Sequence, residues 1–209
     1  MQPDDMKGHI KQVFDVYCEA YKKALNDHHF EPWNEPRHTI HESNQVRTFM
    51  EAYKSKVDDV ITWMELPISY NGGTAHIDGY IADLENKSII FIEAKRFSRE
   101  SQIDSLKKDV KRIYELNEEI YGKELFKGLK LSDFDVYTLF LADIWEERGD
   151  WAKKLAKEWK SGDKLDCGQG MYLDNDIKRI MTIQDAKNVS SGYYLTYTLA
   201  SYFNEAAKD

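Results

Sequence analysis

Residues 88–97 read SIIFIEAKRF, and the tail of this stretch decides how the chain is arranged. Residues 88–92 have the β-branched and aromatic content of a strand packed on both faces. Glu93 and Lys95 then follow before the apolar run has ended. Side chains alternate across a strand, so these two share a face with Ile89 and Phe91. A carboxylate and an ammonium are thereby set where core packing is expected.

The segment before it has the same property. In TAHIDGYIAD, residues 74–83, Ala75, Ile77 and Ile81 alternate with His76, Asp78 and Tyr80. The NGG at 71–73 signals a hairpin from a strand over 60–69, and DLENK at 83–87 signals a second turn. Pairing about a centre near residue 85 sets Asp78 opposite residue 92 or 93. Two carboxylates that close repel each other unless a cation lies between them or one is protonated. Two carboxylates, a backbone carbonyl and waters suit Mg²⁺. A lysine alongside can orient or deprotonate a water, or neutralise charge on a phosphate.

An acid, any residue, then Lys is by itself a weak pattern. It occurs at 5–7, 85–87, 93–95, 109–111, 158–160, 176–178 and 185–187. The copies at 109 and 158 fall on expected helices, where positions two apart do not share a face. The copy at 85 falls in a turn, and the rest lie outside strongly buried strands. Only Glu93 and Lys95 close an apolar strand within a sheet.

Around this centre, apolar spacing predicts a helix over 6–27 and a second from residue 40 or 41, with Val46, Phe49, Met50, Tyr53 and Val57 on its inner stripe. Glu42 lies one turn before Val46 on that side. A helix over 101–121, a strand over 135–145 buried on both sides and a helix over 149–160 follow. Short strands are expected over 171–183 and a helix over 193–206. A three-strand meander, a crossover helix and a fourth strand give an α/β fold, a mixed four-stranded sheet flanked by helices. All 209 residues are expected in one domain, with its core at about 42–145 and a C-terminal addition at 161–209.

The net charge of −8 argues against coating nucleic acid by bulk electrostatics, though not against a nuclease, whose metal-binding carboxylates count as negative. Two cysteines without a CxxC, Cys18 and Cys167, fit a reducing compartment and leave one bridge open. The first residues lack the basic and apolar regions of a signal peptide, and no apolar run reaches the roughly 20 residues of a membrane helix. A soluble, cytoplasmic protein without a membrane partner is expected.

HIDGYIAD followed after a turn by IIFIEAK resembles the PD-(D/E)xK nuclease superfamily over about residues 42–145. The resemblance implies a restriction-endonuclease-like core (α-βββ-α-β) and metal-dependent phosphodiester hydrolysis. Asp78 stands for the first acid of the motif, Glu93 for the second and Lys95 for its lysine; Ile77 occupies the place of the motif's proline. Glu42 matches the glutamate that members often carry on the helix before the first strand. The resemblance also implies Mg²⁺ or Mn²⁺ held by Asp78, Glu93 and the carbonyl of Ala94.

Beside each functional reading stands a plainer one. Asp78, Glu93 and Lys95 would otherwise form an ion-pair network at a sheet edge, although burying charge stabilises little. Glu42 would serve the helix dipole. Arg96, Arg99 and Gln102 are placed to meet a substrate phosphate, but exposed polar residues are ordinary at a helix start. In the run 107–112, interspersed acids suggest a solvated helix face. His28, His29, His38 and His41 suggest surface or capping roles rather than zinc, and His76 a packed or solvent-facing one. Trp145, Trp151 and Trp159 are assigned to packing. The expectation is a Mg²⁺-dependent nuclease acting on DNA, in defence or repair, with a homodimer left open. The alternative is a non-catalytic binding or regulatory protein on the same fold.

Overall fold

Six strands form one mixed sheet, whose spatial order is 60–70, 73–83, 88–97, 135–145, 190–201 and 171–184. A computed structural model describes residues 3–27, 41–70, 73–97, 99–102, 104–105, 108–109, 112–113, 124–126, 129–146, 149–161, 171–184 and 190–201. Helices α1 (Pro3–Asp27) and α2 (Glu42–Lys54) precede the meander β1 (Val60–Tyr70), β2 (Gly73–Asp83) and β3 (Ser88–Phe97). The described residues between 102 and 113 are helical. A short pair, β4 (Glu124–Phe126) and β5 (Leu129–Lys130), and a 3₁₀ turn (Leu131–Asp133) lead into β6 (Asp135–Trp145). Helix α3 (Asp150–Ser161) and the antiparallel strands β7 (Met171–Gln184) and β8 (Ser190–Ser201) complete the order.

The expected four strands β1, β2, β3 and β6 are present, with β3 and β6 parallel in register from Ser88↔Asp135 to Phe97↔Ile144. The sheet is nevertheless six-stranded, because the C-terminal segment extends it rather than decorating it. Residues 193–201, within the helix expected over 193–206, belong instead to β8, between β6 and β7, and residues 202–206 lie outside the described residues. The physical reason is burial on both faces: from Ser191 to Ser201 every residue is buried, so no period-two alternation marks the strand. Its Tyr and Thr content favours a pleated surface. Residues 171–184 form one fourteen-residue strand, not several short ones, with irregularities between Tyr172 and Asp174 and between Arg179 and Met181.

Each sheet face has its own core. On one side α1 contributes Ile10, Phe14, Tyr17 and Tyr21, and α2 contributes Val46, Phe49 and Tyr53, against Ile90, Ile92, Leu139, Leu141 and Leu199. On the other, Ala152, Leu155 and Trp159 of α3 pack with Phe91, Phe97, Phe140 and Ile144. Trp145 and Trp159 are buried, as packing residues should be. Cys18 is a buried free thiol; Cys167 and residues 28–40, with three of the histidines, lie outside the described residues. The turn after β2 is tied down by Asp83, which accepts from the Tyr53 hydroxyl (2.7 Å) and the Asn86 amide N–H (2.8 Å).

Alternation also fails within β2. Ile77 packs with Tyr80 and Ala82, while Ile81 packs in the opposite cluster. Across from it, β1 pairs Met64 with Gly79 and Leu66 with Ile77, and Glu65 between them has φ 54°. Gly79 lies at the same point, directly beneath α2. A Cβ there would overlap Val46 Cγ1 and Met50 Cε. Gly79→Ala should therefore destabilise the protein by about 1–3 kcal/mol in urea denaturation, since overpacking forces the neighbours aside. An unchanged midpoint would show that α2 is not held against the sheet at this position.

Candidate active site

The antiparallel ladder between β2 and β3 has its last backbone pair at Gly79↔Ile92. The next donor on β3, the Ala94 amide N–H, is taken by the Asp78 side chain, at 2.8 Å from Oδ2. A carboxylate thus replaces a backbone carbonyl where the strands part, which sets Asp78 against the chain between Glu93 and Lys95. The expected apposition of Asp78 and Glu93 is realised in this form.

Glu93 is almost wholly buried, 3% exposed. Its Oε1 accepts from Arg112 Nη2 at 2.8 Å. Burial, then the charge of Asp78, pushes its carboxyl up to about 9, against the opposing pull of Arg112. Lys95 Nζ lies 2.7 Å from Asp109 Oδ2. Burial works against its charge, but Asp109, Glu42 and Glu93 outweigh that and raise the ammonium above its ordinary value. Lys95 is therefore a cation at neutral pH, suited to donating hydrogen bonds rather than abstracting a proton.

Glu42 opens α2, whose N-cap residue His41 makes no side-chain cap bond. Its Oε1 accepts from the Arg96 amide N–H at 2.8 Å. The helix start is thereby fastened to the end of β3, three residues beyond Glu93. Among the described residues, no three His, Cys, Asp or Glu side chains converge on a common ion position. The site thus offers the pair Asp78 and Glu93, with Glu42 attached nearby through the β3 backbone. Exposed Arg99 and half-buried Gln102 close a local turn, the Arg99 N–H donating to Gln102 Oε1 at 3.0 Å. The Arg96 side chain is half-buried on β3, and His76 is exposed.

The donor set fits a hard divalent cation. Burial, and then the charge of Asp78, hold Glu93 well above the carboxylate range, and an ion between the two carboxylates would favour their charged forms. Few protein ligands and many waters are what Mg²⁺ favours, so a two-carboxylate site with the Ala94 carbonyl suits it.

No family model matches the chain, and no curated protein or solved structure matches it. The site's meaning rests on its geometry.

Two members of the cluster escape a reading of β3 alone. Asp109 and Arg112 come from the crossover helix, and Arg112 Nη1 also lies 3.4 Å from Asp109 Oδ1. They belong to the run expected to be largely a solvated helix face, and their half-buried positions depart from that expectation, whereas Lys108 is exposed. The available signal is spacing: Asp109 lies four residues before Ile113, which is 1% exposed and faces the sheet. Among the described residues, the other strand-borne acid-x-Lys copy, 176–178, lies on edge strand β7, where Lys178 pairs with Asp15 of α1.

Without divalent metal, folded Glu93 keeps its proton up to about pH 9, whereas the unfolded chain releases it near its ordinary value of 4.5. Between those values the folded state loses relative stability as pH rises. Glu93→Gln does not titrate, so in EDTA its melting temperature relative to wild type should climb by roughly several degrees from about pH 5 to about pH 9. A constant difference would mean that Glu93 ionises at its ordinary value.

Proposed function

We propose that this protein is a Mg²⁺- or Mn²⁺-dependent nuclease that hydrolyses phosphodiester bonds, with DNA as the preferred substrate. One observation carries the reading: Asp78 lies on the Ala94 amide, between a buried Glu93 and a cationic Lys95, where two strands part. That arrangement supports the PD-(D/E)xK resemblance, which assigns the same three residues to one site.

Asp78, Glu93 and the Ala94 carbonyl would hold the ion. When bound, it supplies Lewis-acid polarisation of a phosphoryl oxygen and lowers the pKa of a coordinated water. Lys95, as an ammonium, donates to the attacking water or to a non-bridging phosphate oxygen. It thereby stabilises the charge that builds as the water oxygen bonds to phosphorus, losing its proton to solvent, and the bond to the leaving sugar oxygen breaks, that oxygen taking up a proton from solvent. Glu42, through the Arg96 amide, keeps the end of β3 in place. Arg96 and Arg99 supply positive charge beyond the strand end, where a phosphate backbone would pass.

A second reading has its own observation. Lys95, Asp109, Arg112 and Glu93 form a continuous chain of polar contacts that closes without an ion, as in a metal-free binding or regulatory protein. Metal titration followed by a cleavage assay separates the two. The nuclease reading expects Mn²⁺ to raise the melting temperature of wild type and not of Glu93→Ala. It also expects cleavage of linear, circular or single-stranded DNA or of RNA, reduced about 100-fold or more in a Lys95→Ala variant that retains a cooperative melting transition. Metal-independent stability and no cleavage of any of these substrates would favour the second reading.

A further inference from the structure

We infer that Asp109, on the crossover helix, is the positioning residue for Lys95, and that Arg112 extends the same hold to Glu93. The inference rests on the nuclease reading and deepens it by tying the catalytic groups of β3 to a second element.

Three contacts make the hold. Lys95 Nζ lies 2.7 Å from Asp109 Oδ2. Asp109 Oδ1 lies 3.4 Å from Arg112 Nη1. Arg112 Nη2 donates to Glu93 Oε1 at 2.8 Å, and also reaches the His76 carbonyl at 3.4 Å. Glu93 and Lys95 stand two residues apart on one strand face, and the helix joins them by a second route. The contact to His76 brings in β2 two residues before Asp78. One helix turn therefore touches the strands on both sides of the gap where the ladder ends.

The arrangement is more than an incidental surface pairing. The side chains of Asp109 and Lys95 are only 15% and 17% exposed, and Glu93 is 4% exposed by the same measure. A lysine has a flexible four-carbon stem, so a partner fixed on another element is what gives its ammonium one location. The carboxylate of Asp109 uses its two oxygens for different tasks, one toward Lys95 and one toward Arg112. A residue chosen only for helix solubility has no need of either contact. The expected consequence is specific: without Asp109 the ammonium is still present, but it is no longer aimed.

The test is a set of three variants of the full chain, Asp109→Asn, Asp109→Glu and Arg112→Gln, assayed for Mn²⁺-dependent cleavage of DNA. Asp109→Asn is expected to lower kcat by roughly 10- to 100-fold while KM for DNA and the affinity for Mn²⁺ stay near wild type. Asp109→Glu should recover part of that loss, and Arg112→Gln should lower kcat less than Asp109→Asn. A second readout does not use cleavage: the rate of reductive methylation at Lys95, followed by mass spectrometry, should rise several-fold in Asp109→Asn and not in Asp109→Glu. Melting curves identify any variant that fails to fold, in which case Asp109→Glu against wild type carries the comparison, with a smaller kcat loss expected. If wild type cleaves and Asp109→Asn cleaves equally fast, or if Lys95 methylation is unchanged, the positioning role is overturned while the nuclease reading stands. If wild type cleaves no nucleic acid with any divalent metal, both fall together.

Discussion

The hydrogen bond from the Ala94 amide to Asp78 organises this end of the molecule. Backbone pairing between β2 and β3 runs through Gly79 and Ile92, and a side-chain carboxylate takes the next donor. A buried N–H left without an acceptor is costly, so the strands can part here only because Asp78 supplies one. The same bond holds a negative charge beside Glu93. The gap and its charge thus have one origin.

The neighbouring features adapt to that point. Glu65 takes a left-handed backbone conformation on β1, alternation shifts between Ile77 and Ile81, and Gly79 leaves space for α2 to lie on the sheet. Because α2 sits so close, Glu42 reaches the Arg96 amide. The opposite face is closed by the crossover helix and α3. Each sheet face therefore delivers one acid to the end of β3: Glu42 from the α2 side and Asp109 from the crossover. Another buried acid, Asp143, faces Tyr193 (2.9 Å) and Trp145 (3.3 Å), and burial pushes its carboxyl up to about 7. Its presence inside an apolar strand shows that this protein accepts the cost of buried carboxylates at more than one place.

Much of this was legible in the sequence, for identifiable reasons. The meander follows from NGG and DLENK punctuating three apolar runs, and the turn centre alone brings Asp78 near Glu93. The stripe of α2 fixes the side on which Glu42 lies. What was not legible depends on tertiary context. Strand β8 is covered on both faces, so SSGYYLTYTLAS carries no alternation and its length fits a helix equally well. Asp109 and Arg112 lie among lysines and acids that resemble a solvated surface, and only the approach of the helix to Glu93 gives them partners. The two-residue strand β5 and three-residue β4 are too short to leave a pattern.

The central claim is that Asp78 and Glu93 hold a divalent ion at the gap between β2 and β3. Crystals grown with Mn²⁺ and measured at its absorption edge test this directly. The account predicts an anomalous peak within about 2.0–2.3 Å of carboxylate oxygens from both residues, the spacing of a hard cation to oxygen, and its loss in Glu93→Ala. A peak elsewhere, or none at saturating Mn²⁺ while the Arg112–Glu93 pair stays intact, would contradict it.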